Sequence, residues 1–595
     1  MWSAAWHSPT HQEVFHLPAG LSHWELSRFD LCRVNPPLIR LVASLPASMV
    51  EHETSYVSYT SHPLTRAEYS VGLDMMRVNG YQFIWLVIIG RWACIPLTLL
   101  GGWICFLWAN RLYGSPCGLV ALLMWCFCPY VLGHGSLLTP DAHAASLGIT
   151  AAYFFWQWLQ RSSWPNTLLS GFFLGLATLS KFTLLVFYPL WIFLWLIFCV
   201  SKQENRSLFT LWRDTVKIAT VFVISFILIN IGYEFEDCFR PLGDFKFQSS
   251  MMTGLPLSEI SKEGNNRFVD TWLEKIPFPF PANYLQGIDT QKIDFEKGFD
   301  SYLCGKWQKG GWWYFHLFAL LIKMPLGIWL LFLLSIVLSV FRTQYGGRWR
   351  DELMLIIPIF AILLLLIWQS GIGLHSRYAF PLIPFFFILI SKVGLSFSFN
   401  HLKTQVIVVV GLLWMLTSSL WNYPHCMSYF NELVGGSKNG FYYLAKSDCS
   451  WGQDLLLLKG WVDRHSEVKY LRIAHSGPLD PKIIGFEFTL PPVGFKGKDD
   501  PKILSPEKVG PLPGWYAVEV CFLYGDDMLP ASDGKGGWDE PMKVPGYDLS
   551  YFLKQHKPLE IIGNTIHIYH ITLEEANRVR REMGLPEIET EAAND

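Results

Sequence analysis

Residues 83–109 read FIWLVIIGRWACIPLTLLGGWICFLWA, a continuous and almost entirely apolar stretch. A membrane-spanning helix requires roughly 20 mostly apolar residues, so this stretch predicts one. Similar segments recur along the chain and predict a polytopic α-helical membrane protein with about ten spans. The predicted spans are 83–109, 117–134, 142–160, 166–180, 182–200, 215–233, 313–341, 352–370, 378–396 and 404–422.

The composition agrees with a membrane protein. Hydrophobic residues make up 51% of the chain and charged residues 16%, whereas soluble domains average about 25% charged residues. The 27 tryptophans suit a surface that meets a bilayer interface. The net charge is -2 and there is no basic run, so we expect no nucleic-acid partner. Because no cysteines or histidines have metal-ligand spacing, the sequence indicates neither a divalent metal nor another cofactor.

Basic residues predict the sidedness of the chain. Arg111, Arg161, Arg213, Arg342 and Lys403 lie in alternate loops, which the positive-inside rule assigns to the cytoplasm. We therefore expect a multi-pass protein of the plasma (inner) membrane whose other loops are extracytoplasmic. The predicted domains are a first-loop segment (1–82), a transmembrane bundle (83–422) with an extracytoplasmic loop at 234–312, and an extracytoplasmic soluble domain (423–595). Since no predicted span could export residues 1–82, we expect a preceding span to be missing.

The C-terminal region has ordinary charge and clear turn signals, so we expect a small α/β domain there. Gly452–His465 predicts an amphipathic helix, and a charged helix is expected from about Glu574. The predicted strands are Lys469–His475, Trp515–Leu523 and Thr565–Ile571, because each is rich in β-branched and aromatic residues.

Acidic residues outside the predicted spans are candidates for acid–base chemistry. Glu13 lies in THQEVFH (10–16) beside two histidines, although short polar clusters of this kind are usually solvated turns. Asp141 lies in LTPDAH (138–143), at the outward start of a span. Asp141 can take part in chemistry or simply cap the helix, and the same ambiguity holds for His143.

Three basic residues are candidates for binding an anionic substrate. Lys181 lies at a break between two apolar stretches, where a charged group is costly and usually functional, although snorkelling to the interface is the alternative. Arg377 lies at the outward end of a span and can grip a phosphate bidentately. Lys323, inside the seventh predicted span, is similar. These cations fit the head group of a membrane lipid, such as a phospholipid or a polyprenyl phosphate.

A series of short motifs runs through most of the chain. They are LPAGLSHW (17–24), RFD (28–30), RVNPP (33–37), ANRLYG (109–114), HGSLLTPD (134–141), GLATLSK (175–181), GGWWYF (310–315), KMPL (323–326), SRY (376–378), SYFNE (428–432) and WGQD (451–454). Their order and sidedness resemble bacterial C-type glycosyltransferases of the GT-C fold. These multi-span enzymes are related to protein O-mannosyltransferases and to the aminoarabinose lipid A transferase.

The resemblance implies transfer of a sugar from a polyprenyl-phosphate donor to an extracytoplasmic protein, lipid or glycan. The first-loop Asp-Glu pair of the family falls on Gln12 and Glu13, so Glu13 or Asp141 is expected to act as the base. Lys181 and Arg377 are expected to bind the donor phosphate. The residues expected to bind the acceptor or to support these groups are His16, His143, Tyr378 and Asn35.

The sequence departs from the family at two places. Gln12 occupies an aspartate position and cannot take a proton, and residues 446–454 read KSDCSWGQD, which lacks two acidic positions of the relatives. The alternative is therefore a catalytically inactive relative that binds a lipid-linked sugar or partners an active enzyme. A transporter is a third hypothesis. The predicted charges argue against it, because they lie at the outward face, whereas transporter binding sites usually lie near the bilayer midplane.

Overall fold

The structure is a computed structural model that describes residues 1–60, 66–201, 208–369, 371, 373, 375–494, 509–524, 528–529, 542–543 and 548–589. Four helices form the N-terminal segment. They are α1 (Trp2–Trp6), α2 (Glu13–Leu26), α3 (Leu38–Ser48) and α4 (Ala67–Asn79). Each of them contacts the next helix, α5 (Gln82–Tyr113), so the segment is anchored on the first long apolar helix.

The bundle continues with two groups of helices. The first group is α6 (Ser115–Phe127), α7 (Pro129–His134), α8 (Pro140–Gln160), α9 (Trp164–Thr178), a 3-10 helix (Phe182–Val186), α10 (Phe187–Ser201) and α11 (Leu208–Gly232). The break predicted at Lys181 is confirmed, because this residue lies between α9 and the 3-10 helix. The residues between α11 and the second group carry α12 (Ser250–Thr253), α13 (Ala282–Lys297), β1 (Asp300–Leu303) and β2 (Lys306–Lys309). The second group is α14 (Phe315–Lys323), α15 (Leu326–Phe341), α16 (Trp349–Trp368), a 3-10 helix (Ser376–Leu382), α17 (Ile383–Ile390), α18 (Leu395–Ser398) and α19 (Leu402–Asn422).

The chain is a multi-pass membrane protein, but the number of long apolar helices differs from the expected ten. Within the described residues, six helices are long and apolar enough to cross a bilayer, or seven if α14 and α15 count as one span. The other predicted spans are helical but differ in character. With 13 and 15 residues, α6 and α9 are shorter than a full span. In contrast, α8 has 21 residues but carries Asp141 and His143 near its start and is buried within the protein.

The predicted seventh span is bent. The axes of α14 and α15 differ by 109° across Met324 and Pro325. Proline lacks a backbone N–H and disfavours helical geometry in the residue before it, which accounts for the break at this point.

Helix α8 is the centre of the bundle. It packs against α5, α9 and the 3-10 helix Ser376–Leu382. The approach to α5 is close, since a Cβ on Gly101 would lie only 2.4 Å from the Ser146 hydroxyl oxygen. This packing brings the first turn of α8 next to Arg377, although the two are far apart in sequence.

The C-terminal region forms the expected α/β unit. Its helices are α20 (Leu455–Val462), α21 (Tyr551–Gln555) and α22 (Leu573–Glu582), and its strands are β3 (Leu471–Ala474), β4 (Phe488–Thr489), β5 (Gly514–Glu519), β6 (Met528–Leu529), β7 (Met542–Lys543), β8 (Glu560–Ile562) and β9 (Ile566–Ile571). Five strands form one sheet in the order β4-β3-β5-β9-β8. The β3 strand is parallel to β4 and β5, whereas β9 is antiparallel to β5 and β8.

The apolar core of this sheet is continuous with the bundle. Tyr516 and Val518 of β5 belong to the same buried cluster as Phe315 and Ala319 of α14. The C-terminal unit is therefore packed on the membrane helices rather than joined to them by a loop alone.

Candidate functional site

A cavity of about 260 Å³ lies where several parts of the chain meet. Its walls come from the N-terminal segment, the start of α8, helix α13, the 3-10 helix Ser376–Leu382 and residues 446–451. Ser476, Cys521 and Phe522 of the C-terminal region also line it. The polar and charged residues that line it include His11, Gln12, Asn35, Arg66, Asp141, Asp294, His375, Arg377, Tyr378 and Lys446.

A buried charge cluster forms one wall of the cavity. Lys181 Nζ donates to Asp141 Oδ1 at 2.6 Å, and Arg377 Nε lies 3.3 Å from Asp141 Oδ2. Asp141 and Arg377 are each 2% exposed and Lys181 is 1% exposed. Burying ions is costly unless they are paired, so the cluster is possible because one carboxylate serves two cations. It retains an excess of positive charge.

The helix-capping interpretation of Asp141 is incomplete. The residue lies in the first turn of α8, where a negative charge complements the helix dipole. Its side chain, however, accepts a hydrogen bond from Lys181 across the break that follows α9. The carboxylate therefore joins two helices as well as complementing one.

Arg377 is held by the C-terminal region. Its Nη1 donates to Ser447 Oγ at 2.6 Å, and its guanidinium lies 4.1 Å from the ring centroid of Trp451. The Tyr378 ring, which the sequence also predicted for the site, lies 4.9 Å from Lys181 Nζ. The contacts with Ser447 and Trp451 fix the Arg377 guanidinium at the cavity wall.

A second ion pair lies on α13 and the N-terminal segment. Arg66 Nη1 donates to Asp294 Oδ2 at 3.1 Å, and Arg66 Nε donates to Glu68. Burial raises the pKa of the Asp294 carboxyl, against the opposing effect of Arg66. Neither Arg66 nor Asp294 belongs to a sequence motif that marks it as a site residue. Asp294 lies in the loop 234–312, which is rich in aromatic residues and proline.

The cavity lining also includes two uncharged histidines, His11 and His375, and the lysine Lys446. Burial, together with Arg377 and Lys446, lowers the pKa of His11 to about 4. The pKa of His375 is also lowered by burial and by the same two cations. His375 Nδ1 lies 2.5 Å from Ser447 Oγ. Both imidazoles are therefore uncharged near neutral pH and can act as hydrogen-bond acceptors.

Glu13, which the sequence predicts as a candidate base, does not line the cavity. It is 0% exposed, and its carboxylate accepts hydrogen bonds from Arg91 Nε at 2.8 Å and from Arg91 Nη2. Its other donors are the Thr10 backbone and hydroxyl groups and the Leu138 backbone N–H. The Glu13 carboxylate is therefore fully engaged in a buried ion pair, whereas its neighbour Gln12 lines the cavity.

The remaining expected residues divide into two kinds. Asn35 lines the cavity, and within the described part of the chain its Oδ1 is buried without a hydrogen-bond partner. His16 and His143 are buried but do not line it. His143 lies 2.8 Å from the Leu137 carbonyl oxygen and 3.2 Å from the Thr98 hydroxyl oxygen, contacts that hold the start of α8.

Lys323 does not line the cavity, and its hydrogen bonds are with the protein backbone. Its Nζ donates to the backbone carbonyls of Met427 and Asp448 at 2.9 and 2.7 Å. The lysine therefore ties the bend after α14 to two segments beyond the last membrane helix.

Residues 87–229 match the family described as dolichyl-phosphate-mannose-protein mannosyltransferase. No curated protein sequence matches the chain. The family match confirms the resemblance to membrane glycosyltransferases that the motifs predicted.

Three solved structures are similar at low identity. ArnT from Cupriavidus metallidurans in the apo state has 14% identity and a TM-score of 0.34, over 74% of this chain and 64% of that one. ArnT bound to undecaprenyl phosphate has 12% identity and a TM-score of 0.35, over 85% and 92%. The Archaeoglobus fulgidus oligosaccharyltransferase tethered with an acceptor peptide has 12% identity and a TM-score of 0.37, over 70% and 49%. The chain thus spans less than two thirds of the first and the last of these proteins.

Proposed function

We propose that this relative of the GT-C membrane glycosyltransferases transfers a sugar from a polyprenyl-phosphate-linked donor to an extracytoplasmic acceptor. The observation that carries the proposal is the junction of Asp141, Lys181 and Arg377 at the cavity wall, with its excess of positive charge. The family match over residues 87–229 supports it. The protein is proposed to lie in the plasma (inner) membrane, with the cavity and the C-terminal region outside the cytoplasm.

Arg377 and Lys446 are the proposed contacts for the donor phosphate, because both line the cavity. A planar guanidinium matches two phosphate oxygens, and the contacts with Ser447 and Trp451 orient it in advance. When the bond between the anomeric carbon and the phosphate oxygen breaks, negative charge builds on the departing lipid phosphate. Fixed cations stabilise that charge. Lys181 adds its charge from behind Asp141 rather than by direct contact.

Asp294 is the proposed base for the acceptor hydroxyl. Its side chain is 20% exposed and lines the cavity, and burial raises its pKa, which strengthens it as a proton acceptor. Asp141 is the second choice, since two cations bound to its carboxylate reduce its affinity for a proton. In the proposed step, the hydroxyl oxygen attacks the anomeric carbon, its proton passes to the carboxylate, and polyprenyl phosphate leaves.

The test is transfer from a radiolabelled polyprenyl-phosphate sugar by the full chain in lipid nanodiscs. Asp294→Asn should lower the transfer rate by about 10²–10⁴-fold. Glu296→Gln makes the same chemical change on the same helix, outside the cavity lining, and should keep the rate. Full activity of the Asp294→Asn protein would overturn the assignment of the base.

A catalytically inactive, lipid-binding relative is the second candidate function. Gln12 favours it, because this residue lines the cavity at a position where the family has a proton-accepting aspartate. The two functions are distinguished by comparing Gln12→Asp with Gln12→Asn. If the wild type binds polyprenyl phosphate without turnover and only Gln12→Asp transfers sugar, the inactive relative is the correct description.

A further inference from the structure

Three side chains with metal-binding atoms meet outside the cavity lining. His7, His425 and Asp454 each offer one ligand atom, and these atoms lie within 4.8 Å of one another. They come from the residue after α1, the turn after α19 and the residue before α20. None of the three lines the 260 Å³ cavity.

His7 presents its Nε2 atom to the cluster. Its Nδ1 lies 3.1 Å from the Ser3 carbonyl oxygen, which can only accept a hydrogen bond. This contact assigns the proton to Nδ1 and leaves a lone pair on Nε2, which lies 3.9 Å from Asp454 Oδ1. A metal-ligating histidine is commonly held in this way, by donation from its other ring nitrogen to a backbone carbonyl.

Asp454 has one satisfied oxygen and one unsatisfied oxygen. Oδ2 accepts a hydrogen bond from Thr565 Oγ1 at 2.6 Å. Within the described residues Oδ1 has no hydrogen-bond partner, although the residue is 1% exposed. His425 Nδ1 is likewise buried and unpartnered there. A buried carboxylate oxygen without a donor is unfavourable, and a cation at the centre of the cluster would compensate it.

The charge around the cluster is compatible with an ion. Arg91, a cation whose charge acts on His7, donates to the His7 carbonyl oxygen, and its charge is neutralised by Glu13. A bound ion would therefore not face an uncompensated positive charge.

We propose that His7, His425 and Asp454 bind one divalent transition-metal ion of the zinc type, with water as a fourth ligand. Two imidazoles and one carboxylate are a common zinc donor set, and ligand atoms in a tetrahedral zinc site lie roughly 3.4 Å apart. Closure from the observed separations therefore needs shifts below about 1 Å. The ion fastens the N-terminal segment and the C-terminal region to the end of the last membrane helix, and it does not depend on the proposed sugar transfer.

The test uses the full chain, purified in detergent with a tag that contains no histidine and stripped of metal by a chelator. After incubation with zinc sulfate and gel filtration, we expect one equivalent of zinc by elemental analysis and a higher unfolding temperature. Cobalt(II) in place of zinc should give visible absorption bands without a sulfur charge-transfer band. A wild-type protein that retains no zinc would overturn the proposal.

Variants separate this site from adventitious binding. His7→Ala, His425→Ala and Asp454→Asn should each weaken zinc binding at least tenfold, whereas His570→Ala, at an exposed histidine of β9, should not. Thr565→Val keeps all three ligands but removes the hydrogen bond to Asp454, and it should weaken binding about 10–100-fold. This variant decides the matter if a ligand substitution prevents folding. Wild-type zinc affinity in Thr565→Val and in every ligand variant that folds would exclude the site.

Discussion

Lys181 Nζ lies 2.6 Å from Asp141 Oδ1, although the two residues are 40 positions apart. The pair joins the first turn of α8 to the break after α9, at the wall of the main cavity. Because Arg377 shares the same carboxylate, the arrangement of three membrane segments depends on one buried anion.

Removing that anion should destabilise the protein. Asp141→Asn leaves Lys181 and Arg377 without a buried counter-charge, and the expected loss in the free energy of unfolding is about 3–5 kcal/mol. Adding Lys181→Met to this variant should recover part of the loss, because it removes one of the unpaired cations. Denaturant unfolding in detergent measures both. Strictly additive effects of the two substitutions would show that the residues do not interact.

The buried pair of Glu13 and Arg91 should be important for stability rather than for chemistry. Glu13→Ala is expected to cost about 3–5 kcal/mol, since Arg91 would remain buried without its carboxylate. The neighbouring Gln12→Ala, at a partly exposed position, should change stability by no more than about 0.5 kcal/mol. Thermal unfolding of the two variants side by side checks the prediction, which fails if their order is reversed.

Arg377 should not be replaceable by lysine. Arg377→Lys keeps the charge but loses the guanidinium plane that stacks on Trp451 and bonds Ser447. A charge-assisted hydrogen bond contributes about 1.5–3 kcal/mol, so binding of polyprenyl phosphate should weaken roughly 10–100-fold. Binding to nanodiscs containing a fluorescent polyprenyl phosphate is the measurement. Arg342→Lys, on the predicted cytoplasmic side, is the control that should bind as the wild type does.

The transfer rate should fall as the pH is lowered. This fall should begin at a higher pH than it would for an ordinary aspartate base. A base works only when it has lost its proton, and burial raises the pKa of Asp294. The rate should therefore rise with pH through this raised pKa and then level off. In Asp294→Asn the low residual rate should no longer follow that rise. A rise that persists unchanged in the variant would assign it to another group.

Sidedness can be tested with the exposed thiol of Cys304. This cysteine lies at the turn between β1 and β2, in the loop predicted to be extracytoplasmic. A membrane-impermeant maleimide should label it in intact spheroplasts, and Cys304→Ser should abolish that signal. In the Cys304→Ser background, Arg342→Cys should be labelled only after the membrane is permeabilised. The opposite pattern would contradict the predicted orientation.

Much of the bundle and part of the site could be predicted from sequence. Apolar segments located the helices, and alternating basic loops suggested that Asp141, Lys181 and Arg377 lie on one side. The structure brings these three together at the cavity. Sequence alone does not give the number of spans, because a run of apolar residues does not reveal whether a helix such as α8 faces lipid or protein.

The surroundings of Glu13 and Asp294 could not be inferred from their neighbours in the sequence. The partner of Glu13 is Arg91, 78 positions away, and their contact depends on how α2 packs against α5. Asp294 reaches the cavity only through the placement of α13, which has no repeat or motif to mark it. The cluster of His7, His425 and Asp454 could not be predicted for the same reason, because His7 is far in sequence from the other two residues.

The dependence of Arg377 on Ser447 and Trp451 has a consequence for biosynthesis. The ribosome adds Arg377 to the chain before it adds Ser447 and Trp451. A nascent chain that contains all the membrane helices but ends before Ser447 therefore has an incomplete cavity wall around Arg377. Only a chain elongated beyond residue 451 has every contact that orients the guanidinium, since Asp141 supplies just one of them. Truncated translation products should therefore bind the proposed polyprenyl-phosphate donor more weakly.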